Sequence, residues 1–321
     1  MRTLKVGSGR YDRIMPLAEG TVTISGYELA VDYMPVTKIP PAAWGTQELD
    51  LAEVAMGQLL EKIEAGDDRY LGLPVFPSVA FRHDSVYVPS DSPVKALADL
   101  QGARLGTTQY FGTTTIWIRA LLERQYGLDL SACDWTIGPL SKPAGQIRRH
   151  HPDGAKVSYL EVGDCLEAKV DRGELDAVLS YVPPRQVKEA RMRQLIADLP
   201  AAEREWMVQF GSAPLLHVMM LRRSLAEADP ELAPALVRAF SQARDLAVER
   251  LDETACLTAS IPFLPRVLAE ARALLGPSIW PCGLAETIRG IEAFQDFAHT
   301  QGLTARRIGL QESFVFAGDA A

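Results

Sequence analysis

The chain has 321 residues, 47% of them apolar and 23% charged, and carries a net charge of −8 at pH 7. That is about twice the length of an ordinary domain, so two lobes are expected. The acidic balance argues against a broad basic surface for nucleic acid or anionic lipid. No apolar run approaches the roughly 18 to 20 residues of a membrane span, so no membrane partner is expected.

In chain order, the segment Met1-Arg2-Thr3-Leu4-Lys5-Val6-Gly7 has no apolar h-region and no small-residue cleavage site. Taken with Met1 as the native start, it predicts a cytoplasmic location. Alternation and short apolar runs predict strands over 4–6, 28–33, 72–76 and 85–88 and a helix over 52–63. Residues 91–102 read as a turn, a short helix and a glycine stop, followed by a strand over 104–107. A helix over 114–126 ends at Gly127. Asp164 can cap a helix that stops at Gly173, and 177–181 is then a strand closed by Pro183-Pro184. Residues 215–221 form an apolar run of strand length. Asp229-Pro230 opens a helix in which Leu232, Leu236, Ala239, Phe240, Ala243, Leu246, Ala247 and Leu251 recur at helical spacing. A last helix covers 286–302. Strands alternating with helices predict an α/β fold with largely parallel sheets. Glu48-Leu49-Asp50-Leu51-Ala52 is echoed by Glu174-Leu175-Asp176-Ala177-Val178, which suggests two similar α/β lobes.

Cys133, Cys165, Cys256 and Cys282 are far apart and form no C-x-x-C pair, so buried thiols are expected rather than a disulfide framework or zinc knuckle. The histidines show no H-E-x-x-H spacing, and His150-His151 lies in the polar stretch from Arg148 to Gly154, which reads as an exposed turn.

Four places could hold a ligand. The turn from Gly106 to Thr115 joins a strand to a helix whose start, at Thr113, Thr114 and Thr115, offers backbone N–H groups and hydroxyls to a carboxylate or phosphate. A plain threonine cap would look the same, and the G-K-[ST] ending of a P-loop is missing. The run Phe76-Pro77-Ser78-Val79-Ala80-Phe81-Arg82-His83 follows a strand; Arg82 could fork onto a carboxylate and His83 could move a proton, or both could be surface groups. Tyr11-Asp12-Arg13 follows the first strand, as a site or as a solvated loop with a local ion pair. His217 lies inside an apolar run, where a histidine is usually a satisfied core residue.

The order of these segments resembles the 4,5-dihydroxyphthalate decarboxylase family. The matching residues are Gly9-x-Tyr11-Asp12-Arg13, Leu49-Asp50-x-x-Glu53, Pro74-Val75-Phe76-Pro77-Ser78-x-x-Phe81-Arg82-His83, Ala98-Asp99-Leu100-x-Gly102, Tyr110-x-x-Thr113 and Trp117-Ile118-Arg119. They continue with Gly173-Glu174-x-Asp176-Ala177, Ser180, Pro183-Pro184, His217, Arg222-Arg223, Trp280-Pro281-x-Gly283, Glu292-Ala293-Phe294 and Gln301-Gly302-Leu303. The resemblance implies a two-lobed type II periplasmic-binding-protein-like fold, each lobe a mostly parallel sheet flanked by helices, with a ligand cleft between lobes. The expected division is residues 1–103 plus 210–321 against 104–209, with hinges near Gly102 and Ser212.

The activity implied is loss of carbon dioxide from a dihydroxylated aromatic diacid, giving a dihydroxybenzoate. Direct loss would leave an aryl carbanion, so the ring carbon must be protonated first, helped by a hydroxyl para to the departing carboxylate. By resemblance, His83 or His217 is the acid and Glu53 or Asp12 takes the phenolic proton. Arg13, Arg82 and Thr113 to Thr115 hold carboxylates, while Tyr11, Tyr110 and Ser180 complete the substrate site. No organic cofactor is expected, a divalent metal is left open, and a homo-oligomer is compatible with the chain. The other reading is a non-enzymatic receptor or sensor for small carboxylates on the same fold. The chain departs from the family pattern at Cys282, Thr287, Ile288 and Val182, where tyrosine, an Asn-Arg pair and arginine are usual. Val54-Ala55-Met56-Gly57-Gln58 replaces a serine-rich stretch. Two cationic positions are thereby lost, which leaves the exact substrate open.

Overall fold

The strands, in chain order, are β1 (Arg2–Ser8), β2 (Tyr27–Tyr33), β3 (Leu51–Ala55), β4 (Tyr70–Gly72), β5 (Ser78–Val79), β6 (Val86–Pro89), β7 (Arg104–Thr107), β8 (Asp134–Ile137), β9 (Val157–Tyr159), β10 (Ala177–Leu179), β11 (Met192–Gln194) and β12 (Leu215–Arg222). They belong to a computed structural model that describes residues 1–147 and 150–315; Arg148 and Arg149, within the expected exposed turn, lie outside the described residues. The chain divides into two α/β units, one of Met1–Ala80, Phe210–Gln295 and Ile308–Ala321, the other of Phe81–Gln209 and Asp296–Arg307.

In the first unit the sheet order is β2-β1-β3-β12-β4, with β5 also paired to β12. In the second it is β8-β7-β10-β6-β11, with β9 added beside β8. Each sheet carries one strand against the common direction. β12 runs antiparallel to β3, β4 and β5, and β6 runs antiparallel to β10 and β11. Because β6 ladders with β10 and β11, residues 81–103 belong to the second unit rather than to the first. Residues 296–307 join it too, through Phe297 against Trp117 and the Gln301 amide donating to the Ile116 carbonyl at 3.0 Å.

The sequence echo has a shared cause. Asp50 donates its N–H to the Lys5 carbonyl at 2.8 Å, and its carboxylate accepts the Lys5 N–H at 3.0 Å. Asp176 makes the same pair of bonds to Arg104, at 2.9 and 2.8 Å. Each aspartate thus pins the start of one parallel strand to its neighbour, β3 to β1 and β10 to β7.

Two predicted elements differ. Residues 51–55 form β3, and the helix begins only at Met56, as Met56–Glu64. The run Leu51 to Val54 is buried on both faces between β1 and β12, where an extended strand fits and a helix does not. The strand expected over 72–76 stops at Gly72, because Pro74 and Pro77 cannot donate to a ladder. The other long elements lie where expected, including helices Thr113–Arg124 and Leu232–Leu251. Helix Leu166–Asp171 stops at Gly173, whose φ of 68° suits glycine.

Leu232, Leu236, Ala239, Phe240 and Ala243 pack on one face of the first sheet, against Leu4, Val6, Leu51, Met219 and Leu221. Among the described residues no helix is long and apolar enough to cross a membrane.

Candidate active site

The apolar face of the first sheet turns polar at the carboxyl end of its parallel strands. Side chains on a strand alternate, so Leu4, Val6 and Ser8 of β1 share a face. On β3 that face carries Leu51, Glu53 and Ala55. On β12 it carries Leu221, Met219 and His217. The registers Val6 to Leu51, Met219 to Glu53 and His217 to Ala55 bring the three columns side by side. β12 enters antiparallel, so its first residues meet the last residues of β1 and β3. Ser8, Glu53 and His217 are therefore gathered where open α/β sheets bind ligands.

Glu53 is the hub, at 1% exposure. Its Oε2 accepts the Ser8 hydroxyl at 3.0 Å and the Gly9 N–H at 2.7 Å. Its Oε1 accepts the Tyr11 hydroxyl at 2.7 Å and lies 2.6 Å from His217 Nδ1. Burial alone would raise the Glu53 pKa, but the bonds from His217, Gly9 and Tyr11 outweigh it and hold the carboxyl below its ordinary value. An ionised Glu53 only accepts, so Nδ1 of His217 carries the proton in that bond. The His217 side chain is 25% exposed, and its Nε2 has no hydrogen-bond partner among the described residues. One ring nitrogen is fixed by a buried carboxylate and the other is left for chemistry.

The loop after β1 is tied in place. A Cβ at Gly9 would sit 2.8 Å from the Tyr11 ring, so glycine is what lets that ring come close. Burial and the Glu53 charge push the Tyr11 pKa well above the usual phenol value, and its hydroxyl stays a donor. The Arg13 guanidinium lies 4.4 Å from the Tyr11 ring centroid and 3.7 Å from that of Trp280. Its Nε donates to the Pro77 carbonyl at 3.1 Å, Nη2 donates to the same oxygen, and Nη1 bonds Asp12 at 3.0 Å. The Trp280 indole N–H donates to the Phe76 carbonyl at 2.8 Å. Trp280 is aimed by a tight turn at Ile279, whose φ of 49° is costly for a β-branched residue. Replacing Trp280 with leucine is expected to cost about 1 to 2 kcal/mol by removing one of the two rings against Arg13. It should also speed hydrogen exchange at the Gly9 amide; unchanged melting and exchange would refute the clamp.

The first unit thus brings Glu53, His217 and Tyr11 together, with Arg13 behind Tyr11. Asp12 is more than half exposed and pairs with Arg13. The other sequence candidates lie in the second unit. His83 is fully buried, with Nε2 2.9 Å from Gln125 Oε1 and the Phe81 and Trp206 rings around it. Burial lowers its pKa, with Gln125, Asp84 and Glu205 opposing. The Arg82 guanidinium lies 5.7 Å from the Tyr181 ring centroid, its Nε buried with no hydrogen-bond partner among the described residues. Thr113 and Thr115 are buried and Thr114 half-buried at a helix start capped by Gly112, and Thr115 is 3.2 Å from the Thr107 hydroxyl. Tyr110 packs on Phe111, Trp135 and Arg119. The Ser180 hydroxyl is taken up in its own turn, donating to the Val182 carbonyl at 2.8 Å. Cys282 is buried, its thiol pushed up to about 12 by burial, and Thr287 donates to the Gly283 carbonyl at 2.7 Å. Among the described residues, no three His, Cys, Asp or Glu side chains are grouped to hold a metal ion.

Sequence reasoning missed Ser8 and the Gly9 N–H as partners of Glu53, and it gave Glu53 and His217 separate tasks. The usable signal was periodicity: each interrupts an apolar column, one step diagonal from the other on the β3–β12 ladder.

No protein-family model matches the chain. A 4,5-dihydroxyphthalate decarboxylase from Comamonas testosteroni is 32% identical over 315 residues, covering 97% of this chain and 96% of that protein. Another from Pseudomonas putida is 30% identical over 208 residues, 63% of this chain and 80% of that one. Among solved structures, the periplasmic aliphatic sulphonate binding protein SsuA from Escherichia coli shares the fold with a TM-score of 0.56 at 16% identity, covering 98% of this chain and 92% of that one. The fold is of the type II periplasmic-binding-protein-like class, and the sequence match over nearly the full length of both proteins places the chain in the 4,5-dihydroxyphthalate decarboxylase family.

Proposed function

We propose that the protein is a carboxy-lyase that releases carbon dioxide from 4,5-dihydroxyphthalate or a closely related hydroxylated aromatic acid, with His217 as the proton donor. The observation that carries the role of His217 is the buried Glu53 carboxylate bonded to Nδ1 of a side chain that stays 25% exposed at the sheet's carboxyl edge. His217 Nε2–H gives its proton to the ring carbon that bears the leaving carboxylate. A C–H bond forms, and the para hydroxyl oxygen takes up the positive charge. The C–C bond then breaks, carbon dioxide leaves, and its bonding pair restores the aromatic ring. His217 regains a proton from solvent, so one proton is consumed per turnover. Glu53 faces the positive charge of the imidazolium and fixes the ring's orientation, the part a carboxylate plays in other histidine pairs. Its acceptor positions already serve four donors, so it is not the group that takes the phenolic proton.

His83 is assigned a packing role on its full burial. His83→Gln is expected to keep kcat within about threefold while losing about 1 to 3 kcal/mol of stability. A hundredfold loss of kcat in a folded His83→Gln protein would return the acid's role to that residue. A cytoplasmic location belongs to the same proposal. It is supported by four free cysteines, and cell fractionation tests it.

The deciding experiment is turnover of 4,5-dihydroxyphthalate in heavy water, with product identified by chromatography and mass. One deuterium is expected at the carbon vacated by the carboxylate. Thermal stabilisation by the diacid without carbon dioxide release would instead favour a binding protein.

A further inference from the structure

The second unit contains a polar arrangement that this chemistry does not use. Arg119, on helix Thr113–Arg124, is 2% exposed, yet its Nε and Nη2 have no hydrogen-bond partner among the described residues. Its cover is aromatic, with the guanidinium carbon 4.0 Å from the Tyr110 ring centroid and 6.0 Å from that of Trp135. Nε and Nη2 form the edge of a guanidinium that takes both oxygens of a carboxylate side by side. This chain uses that edge elsewhere. Arg69 holds the two Asp67 oxygens with it at 2.7 and 2.8 Å, and Arg104 holds those of Asp176 at 3.1 and 2.7 Å. A buried guanidinium with no such partner is costly, and ring faces offset only part of the cost.

A second orphan is an acceptor. Gln301, 9% exposed, spends its amide N–H on the Ile116 carbonyl and leaves a buried Oε1 with no partner among the described residues. Arg119 and Gln301 line one cavity of about 310 Å³, together with the Tyr110 and Trp135 rings and Lys156. That volume suits a small ligand. Glu123 also lines it and makes no ion pair with Arg119; burial raises its pKa, against the pull of Arg119 and Arg124.

We propose that this cavity binds a small aromatic hydroxy acid, its carboxylate on the Nε and Nη2 edge of Arg119 and its hydroxyl donating to Gln301 Oε1. The two orphans are complementary to a molecule with an anionic acceptor and a hydroxyl donor, and the Tyr110 and Trp135 rings, packed edge to face at 5.8 Å, give the same cavity an aromatic wall. Tyr110 is only half-buried, and its ring must turn aside for entry. The inference stands on the second unit alone and does not depend on the role of His217.

The test is isothermal titration of the full chain with 3,4-dihydroxybenzoate, benzoate and phenol, in wild type, Arg119→Met and Gln301→Leu. Wild type is expected to bind the hydroxy acid in one more event per chain than Arg119→Met, or at least tenfold more tightly. Gln301→Leu should weaken 3,4-dihydroxybenzoate several-fold and leave benzoate unchanged. Where Arg119→Met fails to fold, hydrogen exchange of wild type with saturating ligand replaces it, and slower exchange over residues 108–112 and 152–156 is expected. Equal binding by all three folded proteins, or no added protection in those segments, would overturn the proposal and leave the cavity to water.

Discussion

Replacing His217 with glutamine is expected to lower kcat by about 10²- to 10⁴-fold, the range over which a positioned acid acts, with KM changed by less than about threefold. The substitution is chosen for what it keeps. Glutamine is close in length to histidine and can offer an amide N–H to Glu53 Oε1, so the hub keeps a donor where Nδ1 stood at 2.6 Å. What is lost is a group able to hand over a proton. If His217 were only a satisfied core residue, as a histidine inside the apolar run 215–221 first suggests, Gln would cost stability and leave turnover alone. The two cases separate on two measurements made together, single-turnover rate and thermal melting. A rate within threefold of wild type in a protein that melts normally would sink the acid's role. Uncatalysed exchange of ring hydrogens in heavy water would stay as it is in both cases, which provides the baseline.

The legible part of this protein was the part encoded by local pattern. Helix Leu232–Leu251 was readable because its apolar residues recur at 3.6-residue spacing and meet one sheet face. The twofold repeat was readable because Asp50 and Asp176 do the same job at the same place in each unit. β3 was not readable. Leu51 to Val54 followed by Met56 to Ile63 is one long apolar stretch, and only pairing on both sides, with β1 and β12, decides where strand ends and helix begins. The site was half legible for a related reason. Resemblance pointed at Glu53, His217 and Tyr11 separately, while their meeting is a property of register between strands more than 160 residues apart in sequence. Arg13 reads differently once folded: an arginine in a loop reads as an anion holder, and here Pro77 and Asp12 engage its Nε and both terminal nitrogens.

Removal of the Glu53 carboxylate is expected to have the largest effect on stability, and the effect depends on pH in a direction that can be worked out. Glu53→Leu leaves the Ser8 hydroxyl, the Gly9 N–H, the Tyr11 hydroxyl and His217 Nδ1–H without their acceptor, and the expected cost is about 3 to 5 kcal/mol. Glu53→Gln keeps the shape and one oxygen but turns a donor toward two donors, at about 2 to 3 kcal/mol. The folded pKa of Glu53 is depressed, whereas the unfolded chain titrates near 4.3. The stability from the ionised form is therefore complete above that unfolded value and is lost as pH falls through the folded one. Wild type and Glu53→Gln should differ fully at pH 7, and the gap should close below about pH 4 as the native carboxyl takes its own proton. With two units in one chain a single unfolding curve is a poor gauge. The measurement is hydrogen exchange at the β1, β3 and β12 amides, read as opening free energy against pH. A gap that stays constant down to pH 3 would show that the four donors do not depend on the charge of Glu53. In that case the carboxylate would be holding His217 by shape alone, and the imidazolium that donates the proton would need its counter-charge from elsewhere.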